Sequence, residues 1–541
     1  MTAPDVPAPP PSGIRRALPA AFALVSLLLA GGGEAVIRSG NASGLGLALY
    51  LAAITLFAWK AWPPLAAAAA APAPPATRRS LRLALLLGGV LGAALLTGVE
   101  LKLLGRGDLK GAETPWAAAL LLLLLAAAAS GPVTAFAPRW ELPPLTGRLR
   151  KGLFAAAVVG ILALAAATRL PALDRIPYGI NADEGDQALV AIQLLRGTRE
   201  ENLFGVGWYH IGMMYFRSLA AVMQYSGISV GGARVFGALC GIATVAIVLV
   251  LGIRNFGRRA GLLAGTLAAT IGPALQFSRE TTCAGPTITL WTAAAAFFLE
   301  AARTGRAWAW ALACATGGVS IYFYPTGRLW GVVGALFTLG FVARGPRGRR
   351  GRLVAGTALA AAAAFVVMTP FLQMVAVNPD LLVVRARETS IFVKRNPLRL
   401  GYYDPSWSTA KLVAVQLERS VGILNRYPDG NFFWPTRKPI LPPALAALTL
   451  LGLGASLLKV RDVRFLLLSA WFWVGFVGVV VTVETPNLHR MATAVPVLAL
   501  FAGLVLDDVA RRAGDLAAGS SPRLRRRVAG AAAGLAGLVA A

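Results

Sequence analysis

From Ala17 to the last residue the chain alternates apolar stretches of membrane-spanning length with short Arg- and Pro-rich joints. A helix that crosses a bilayer needs roughly 20 mostly apolar residues and satisfies its backbone N–H and C=O groups internally. The pattern therefore predicts an all-α polytopic membrane protein. Composition agrees, since 57% of the 541 residues are hydrophobic and 14% are charged, against about a quarter charged in soluble chains. No region remains for a large soluble domain. Three cysteines, Cys240, Cys283 and Cys314, lie far apart and two fall inside apolar stretches, which excludes a secreted disulfide scaffold.

Lys and Arg outnumber Asp and Glu by 52 to 24, giving a net charge of +28. In a soluble protein that excess would suggest a nucleic-acid partner. Here the basic residues gather in the joints between apolar stretches, where they fix cytoplasmic orientation, so no nucleic acid is expected. His210 and His489 are the only histidines, and neither a Walker-type loop nor an H-E-x-x-H pair occurs. An ATP motor and a His-rich zinc hydrolase are both disfavoured. The polar, Pro-rich start through Ile14 and the run from Ala17 into Gly-Gly-Gly-Glu carry no small-residue cleavage motif, which predicts a retained first span.

The apolar runs predict spans near 17–33, 43–62, 81–100, 116–136, 152–171, 232–253, 260–276, 286–303, 307–323, 328–343, 353–376, 440–458, 465–482, 490–508 and 528–541, or about 13–15 transmembrane helices. Counting from Arg15 and Arg16, alternate joints carry Arg78 and Arg79, Arg148 to Lys151, Arg254 to Arg259, Arg303 and Arg306, the Arg344 to Arg352 cluster, Lys459 to Arg464, and Arg511 to Arg527. All fall on one side, and a single missed span would mix the charges. The expected location is the bacterial cytoplasmic (inner) membrane, multi-pass, with the N-terminus inside and the uncommon polar residues facing the periplasm or exterior.

Four regions follow. Residues 1–150 form an N-terminal four-helix membrane module of Ala and Leu runs, with Gly88 and Gly92 as small residues for close packing. Residues 151–376 form a catalytic membrane core with a first outer loop over 171–231. Residues 377–439, with several aromatics and no spanning run, form an outer-face cap, and 440–541 supply C-terminal transmembrane helices.

The most informative segment is P-x-G-x-x-x-D-E from Pro177 to Glu184, followed by A-x-x-L-L-x-G from Ala191 to Gly197. Asn181 reads as an N-cap that places Asp183, Glu184 and Asp186 in the first turn of a short surface helix ended by Gly197. First-turn carboxylates ordinarily complement the helix dipole. Their company on the same side suggests more: F-S-R-E ending at Glu280, Y-x-Y-P-x-G-R from Tyr322 to Arg328, and E-x-P-x-x-H-R from Glu484 to Arg490.

This ordered set, with Arg234 opening one span and Pro496 inside the last, resembles the polyprenyl-phosphate-dependent glycosyltransferases of the GT-C fold. The resemblance is to the family 39-like protein mannosyltransferase and aminoarabinose transferase group, over roughly Lys151 to Asp508. It implies a GT-C-like architecture with outer-face interfacial helices and a catalytic acid in the first outer loop, here Asp183 with Glu184 beside it. It also implies a polyprenyl-phosphate sugar donor, membrane lipids as partners, and an acceptor that is a lipid, glycan or protein. The acid usual in the second outer loop has Glu280 as its counterpart, although the family's spacing after the Arg is not reproduced. The W-W-D-Y-G-type sequence of oligosaccharyltransferases is absent.

Such a donor arrives activated, because its phosphate leaves as an anion and needs no proton. One carboxylate must take the acceptor's proton and cations must hold the phosphate. Asp183 and Glu184 are the catalytic candidates. Arg279, Arg328 and Arg490 are candidate phosphate ligands, and Glu280, Tyr322, Tyr324 and His489 are candidate substrate contacts. Interfacial snorkelling and aromatic belts are the ordinary alternatives for these residues. The resemblance makes no cofactor certain. Carboxylates at Asp183, Glu184 and Glu280 are of the type that holds a divalent metal ion, and the sequence leaves that open. Two other functions compete: a transporter or lipid flippase, which would place charges within spans of two repeated halves, and a noncatalytic scaffold, which would need no ordered polar corners.

Overall fold

The computed structural model describes residues 13–40, 43–61, 76–130, 144–199, 202–345, 350–394, 397–430 and 438–518. The expected span 528–541 lies outside them. The described residues are helical, with two isolated β-bridges, Val206 to Gly212 and Ser390 to Thr482. Among the described residues eight helices are long and apolar enough to cross a membrane, nine if one bent pair counts as a single span, and three shorter apolar helices accompany them. The chain is a multi-pass membrane protein.

The first four helices are α1 (Gly13–Ser39), α2 (Ser43–Ala61), α3 (Ala76–Gly105) and α4 (Glu113–Ser130). They pack as two hairpins on different neighbours, where the sequence suggested one module. The helices they meet are α12 (Ala307–Val319), α14 (Arg350–Val377), α18 (Pro443–Leu458) and α20 (Val495–Ala518). The α1–α2 hairpin lies on α18 and α20, whereas α3–α4 lies on α12 and α14. Gly89 and Gly92 face α4, where an added Cβ would meet Ala126 and Leu122, while Gly88 faces open space. Close approach of the two backbones depends on the first pair.

The core continues with α5 (Arg148–Arg169), α6 (Ala182–Leu195), α7 (Met213–Ser226) and α8 (Val230–Phe256). Next come α9 (Arg258–Thr270) and α10 (Gly272–Ser278), which meet at a 59° bend. Pro273 brings no N–H to the break, and the buried Arg169 guanidinium satisfies the freed carbonyls of Ala268 and Ala269 at 2.9 Å each. Helices α11 (Ala284–Thr304) and α12 are buried among their neighbours, and α13 (Trp330–Arg344) packs against α19 (Val463–Val481).

One end of this bundle carries α6 and α7 together with three short helices of the segment 377–439. These are α15 (Asp380–Thr389), α16 (Pro397–Tyr402) and α17 (Thr409–Gly422). They are tied down at several points. Ile391 N donates to Val481 O and Val483 N to Thr389 O, Leu488 N donates to Asp429, and Asn425 donates to Glu34 in α1. Glu113 at the start of α4 accepts from Arg217 of α7 at 2.9 Å. The opposite end gathers basic joints: Arg344 donates to the carbonyls of Val460 and Arg461, and Arg464 to that of Asn255. The loops that the charge pattern placed on opposite sides thus lie at opposite ends.

Candidate active site

Asn181 caps α6, its side-chain oxygen accepting from Glu184 N at 2.8 Å. The helix then turns its two adjacent carboxylates in different directions, since successive residues are about 100° apart around the axis. Glu184 points inward with Gln187, Val190, Ala191 and Leu194, all buried. It forms a bidentate pair with Arg234 at 2.7 and 2.8 Å, both side chains 0% exposed, and accepts a third bond from Thr281 N. Arg234 spends its remaining donors on the carbonyls of Leu173, Pro177 and Gly179. This pair fixes the first outer loop, and neither Glu184 oxygen is left for a substrate.

Asp183 faces the other way. Burial pushes its carboxyl above the usual carboxylate range, Asp186 adds to that, and its interactions with His489, Arg385 and Arg490 oppose it. His489 and Arg490 arrive from the loop 482–490, and Arg385 from α15. Arg490 Nη2 lies 3.5 Å from Glu484, and its buried Nε has no hydrogen-bond partner. His489 Nε2 lies 3.6 Å from Glu280, just beyond hydrogen-bond reach, with its ring 4.9 Å from that of Phe277. Glu280 is fully buried, which raises its carboxyl pKa against the opposing pull of His489.

Arg385 completes the cluster, a residue that no motif in the sequence marks. It stacks over the Tyr209 ring at 4.0 Å, lies beside Tyr324 and donates to Glu388 at 3.1 Å, and Glu388 stands 3.7 Å from His210. Three of the four non-glycine residues with positive φ in the described chain are Tyr209 (52°), His210 (63°) and Glu484 (67°), all bordering this cluster. Such backbone costs about 1–3 kcal/mol per residue and persists where surrounding contacts demand it.

Three other expected contacts are used up by the scaffold. Arg279 donates to the carbonyls of Thr168, Arg169, Pro171, Ala172 and Ile176, capping the end of α5. Arg328 donates to Leu381 and Leu382 carbonyls of α15, with its guanidinium over Phe371 at 5.0 Å. The buried Tyr322 hydroxyl donates to Val367 O and accepts from Phe371 N, beside Pro370 in α14. Asp183, Tyr324, His489, Arg490 and Glu280 therefore share one neighbourhood, while Glu184, Arg279, Arg328 and Tyr322 support it.

No three His, Cys, Asp or Glu side chains converge to hold a metal among the described residues. Of the three carboxylates named from the sequence, Glu184 is occupied by Arg234, which leaves Asp183 and Glu280.

Residues 212–374 match a family model described as dolichyl-phosphate-mannose-protein mannosyltransferase. No curated protein matches. Among solved structures, the archaeal oligosaccharyltransferase AglB from Archaeoglobus fulgidus, in complex with an inhibitory peptide and a dolichol-phosphate, aligns with a TM-score of 0.50 at 15% identity. That alignment covers 73% of this chain and 56% of AglB. ArnT from Cupriavidus metallidurans bound to undecaprenyl phosphate aligns with a TM-score of 0.45 at 18% identity, covering 69% of this chain and 63% of ArnT. The chain thus spans less than two thirds of either relative's length. Its helices are arranged in the fold of the GT-C polyprenyl-phosphate-dependent glycosyltransferases.

Proposed function

We propose that the chain is a membrane glycosyltransferase that moves a sugar from a polyprenyl-phosphate-linked donor to a lipid, glycan or protein acceptor. One observation carries the reading: the Asp183 carboxylate, at the start of α6, faces Arg385, His489 and Arg490 at one end of the bundle. The family model over residues 212–374 supports the same class. The transporter reading is less favoured, because these charged groups gather at the end of the bundle.

In this mechanism Asp183 accepts the proton of the acceptor as it attacks the anomeric carbon. The bond from that carbon to the phosphate oxygen breaks, and the phosphate departs as an anion. Arg490 and Arg385 neutralise the charge that grows there, in a setting where burial strengthens each interaction. Glu280 orients His489, and the Glu184–Arg234 pair positions the loop that carries Asp183. The site faces the periplasm or exterior of a bacterial cytoplasmic membrane, opposite the basic joints.

The test incubates the full-length protein in lipid with a panel of polyprenyl-phosphate sugars and a cell-envelope extract that supplies lipid, glycan and protein acceptors, and follows release of the polyprenyl phosphate. Release that requires Asp183 supports the reading. No release from any donor across the panel, by protein that remains folded, counts against it.

A further inference from the structure

The end of the bundle opposite the candidate site holds a cavity of about 750 Å³, where the α8–α9 corner, the α18–α19 turn and α20 meet. Six cations line it: Arg258, Arg259, Lys459, Arg461, Arg464 and Arg511. Only two carboxylates answer from the lining, Asp507 at 3.0 Å from Arg259 and Asp462 at 2.6 Å from Arg464. Arg258 and Arg461 make no ion pair among the described residues. Burial pushes the Lys459 ammonium down to about 8, against the opposing pull of Asp508.

Two more features point to an anion. Helix α9 starts at this cavity, and its N-cap is Gly257, which offers no side-chain acceptor to the first-turn N–H groups. The remaining wall is apolar, with Phe256 and Phe465 rings 5.7 Å apart and Leu458 and Leu504 beside them. Orientation of the spans accounts for cations in the joints. It does not require them to converge with an uncapped helix start on one aromatic-walled cavity.

We propose that this cavity binds a phosphate-bearing anion, its apolar wall fitting the glycerol end of an anionic phospholipid whose head group meets the cations. Basic pockets between spanning helices on the cytoplasmic side suit such head groups. The site is separate from the Asp183 cluster, and its test does not depend on transfer.

Full-length protein is incubated in detergent with phosphatidylglycerol or phosphatidylcholine, and retained lipid is counted by native mass spectrometry. Phosphatidylglycerol should be retained and phosphatidylcholine should not. Substituting both Arg258→Gln and Arg461→Gln should lower retention roughly thirtyfold, and Arg461→Gln alone about fivefold. The single variant decides if the double variant fails to fold, because Arg461 is exposed and receives Arg344 through its backbone carbonyl. Arg306→Gln removes a charge from another joint at the same end and should change nothing. Displacement of the lipid by millimolar inorganic phosphate would assign the site to a soluble phosphate, and resistance to it would assign the lipid. Equal retention of both lipids, or an equal loss in Arg306→Gln, would overturn the proposal.

Discussion

In the proposed mechanism Asp183 and Glu184, one helical step apart, divide proton transfer from support of the loop. Asp183→Asn keeps shape but cannot accept a proton, so transfer should fall about 10²–10⁴-fold while the melting temperature hardly moves. Unchanged turnover in folded protein would remove Asp183 from the mechanism. Glu184→Gln should do the reverse, leaving the fully buried Arg234 uncompensated and costing about 3–5 kcal/mol of stability; a melting curve that matches the parent would contradict the scaffold role. Protonated Asp183 cannot act as a base. Because burial raises its pKa, kcat/KM should climb with pH through an ionisation above the ordinary value of about 3.9. That limb should vanish in Asp183→Asn, and a limb that persists there belongs to another group. The sequence did not separate the two carboxylates, which it offers together as catalytic candidates; packing does, because Glu184, Gln187, Ala191 and Leu194 form the buried face of the helix.

At the level of elements, three arginines that look alike at the ends of spans have different uses. Arg279 holds the end of α5 through carbonyls and Arg328 holds α15; Arg328 and Arg490 each keep a buried Nε without a hydrogen-bond partner, but of the three only Arg490 acts on Asp183. Arg490→Lys should therefore raise the donor KM or lower kcat with little loss of stability, because charge survives but planar two-point geometry does not. Arg279→Lys should first lower the melting temperature. The assignments fail if the two variants exchange these signatures in parallel melting and donor-titration experiments. Sequence could not separate the three, because a guanidinium at a span end reads the same whether it meets a carbonyl, a phosphate or the membrane surface. Arg385 was missed for a related reason. Its place depends on α15 folding back across the bundle, through contacts with Arg328 and Thr389 that join segments remote in sequence. The N-cap of α6 was readable because a cap is built within four residues.

Across the whole molecule, the charge pattern carried the most long-range information, because each span reverses the chain and every basic joint must return to the same face. Loops that this rule placed together are joined in three dimensions, as in Arg344 with Arg461 and Arg259 with Asp507. The packing of the first four helices was not readable, since Ala- and Leu-rich faces carry no mark of which neighbour they meet. Contacts decide it: α1–α2 meets α18 and α20, and α3–α4 meets α12 and α14, while Glu34 and Glu113 pin the site end of each hairpin. The proposed orientation in the membrane places the basic end on the cytoplasmic side. Single cysteines replacing Tyr178 and Tyr225, which are 92% and 89% exposed, should react with a membrane-impermeant maleimide in intact spheroplasts. A cysteine at Arg306 should react only after lysis. The three native cysteines are buried or half-buried, and the parent chain sets the background. Labelling of position 306 in intact cells, with 178 and 225 silent, would invert the molecule. It would place Asp183 on the cytoplasmic side, and an acceptor beyond the membrane could then no longer be its substrate.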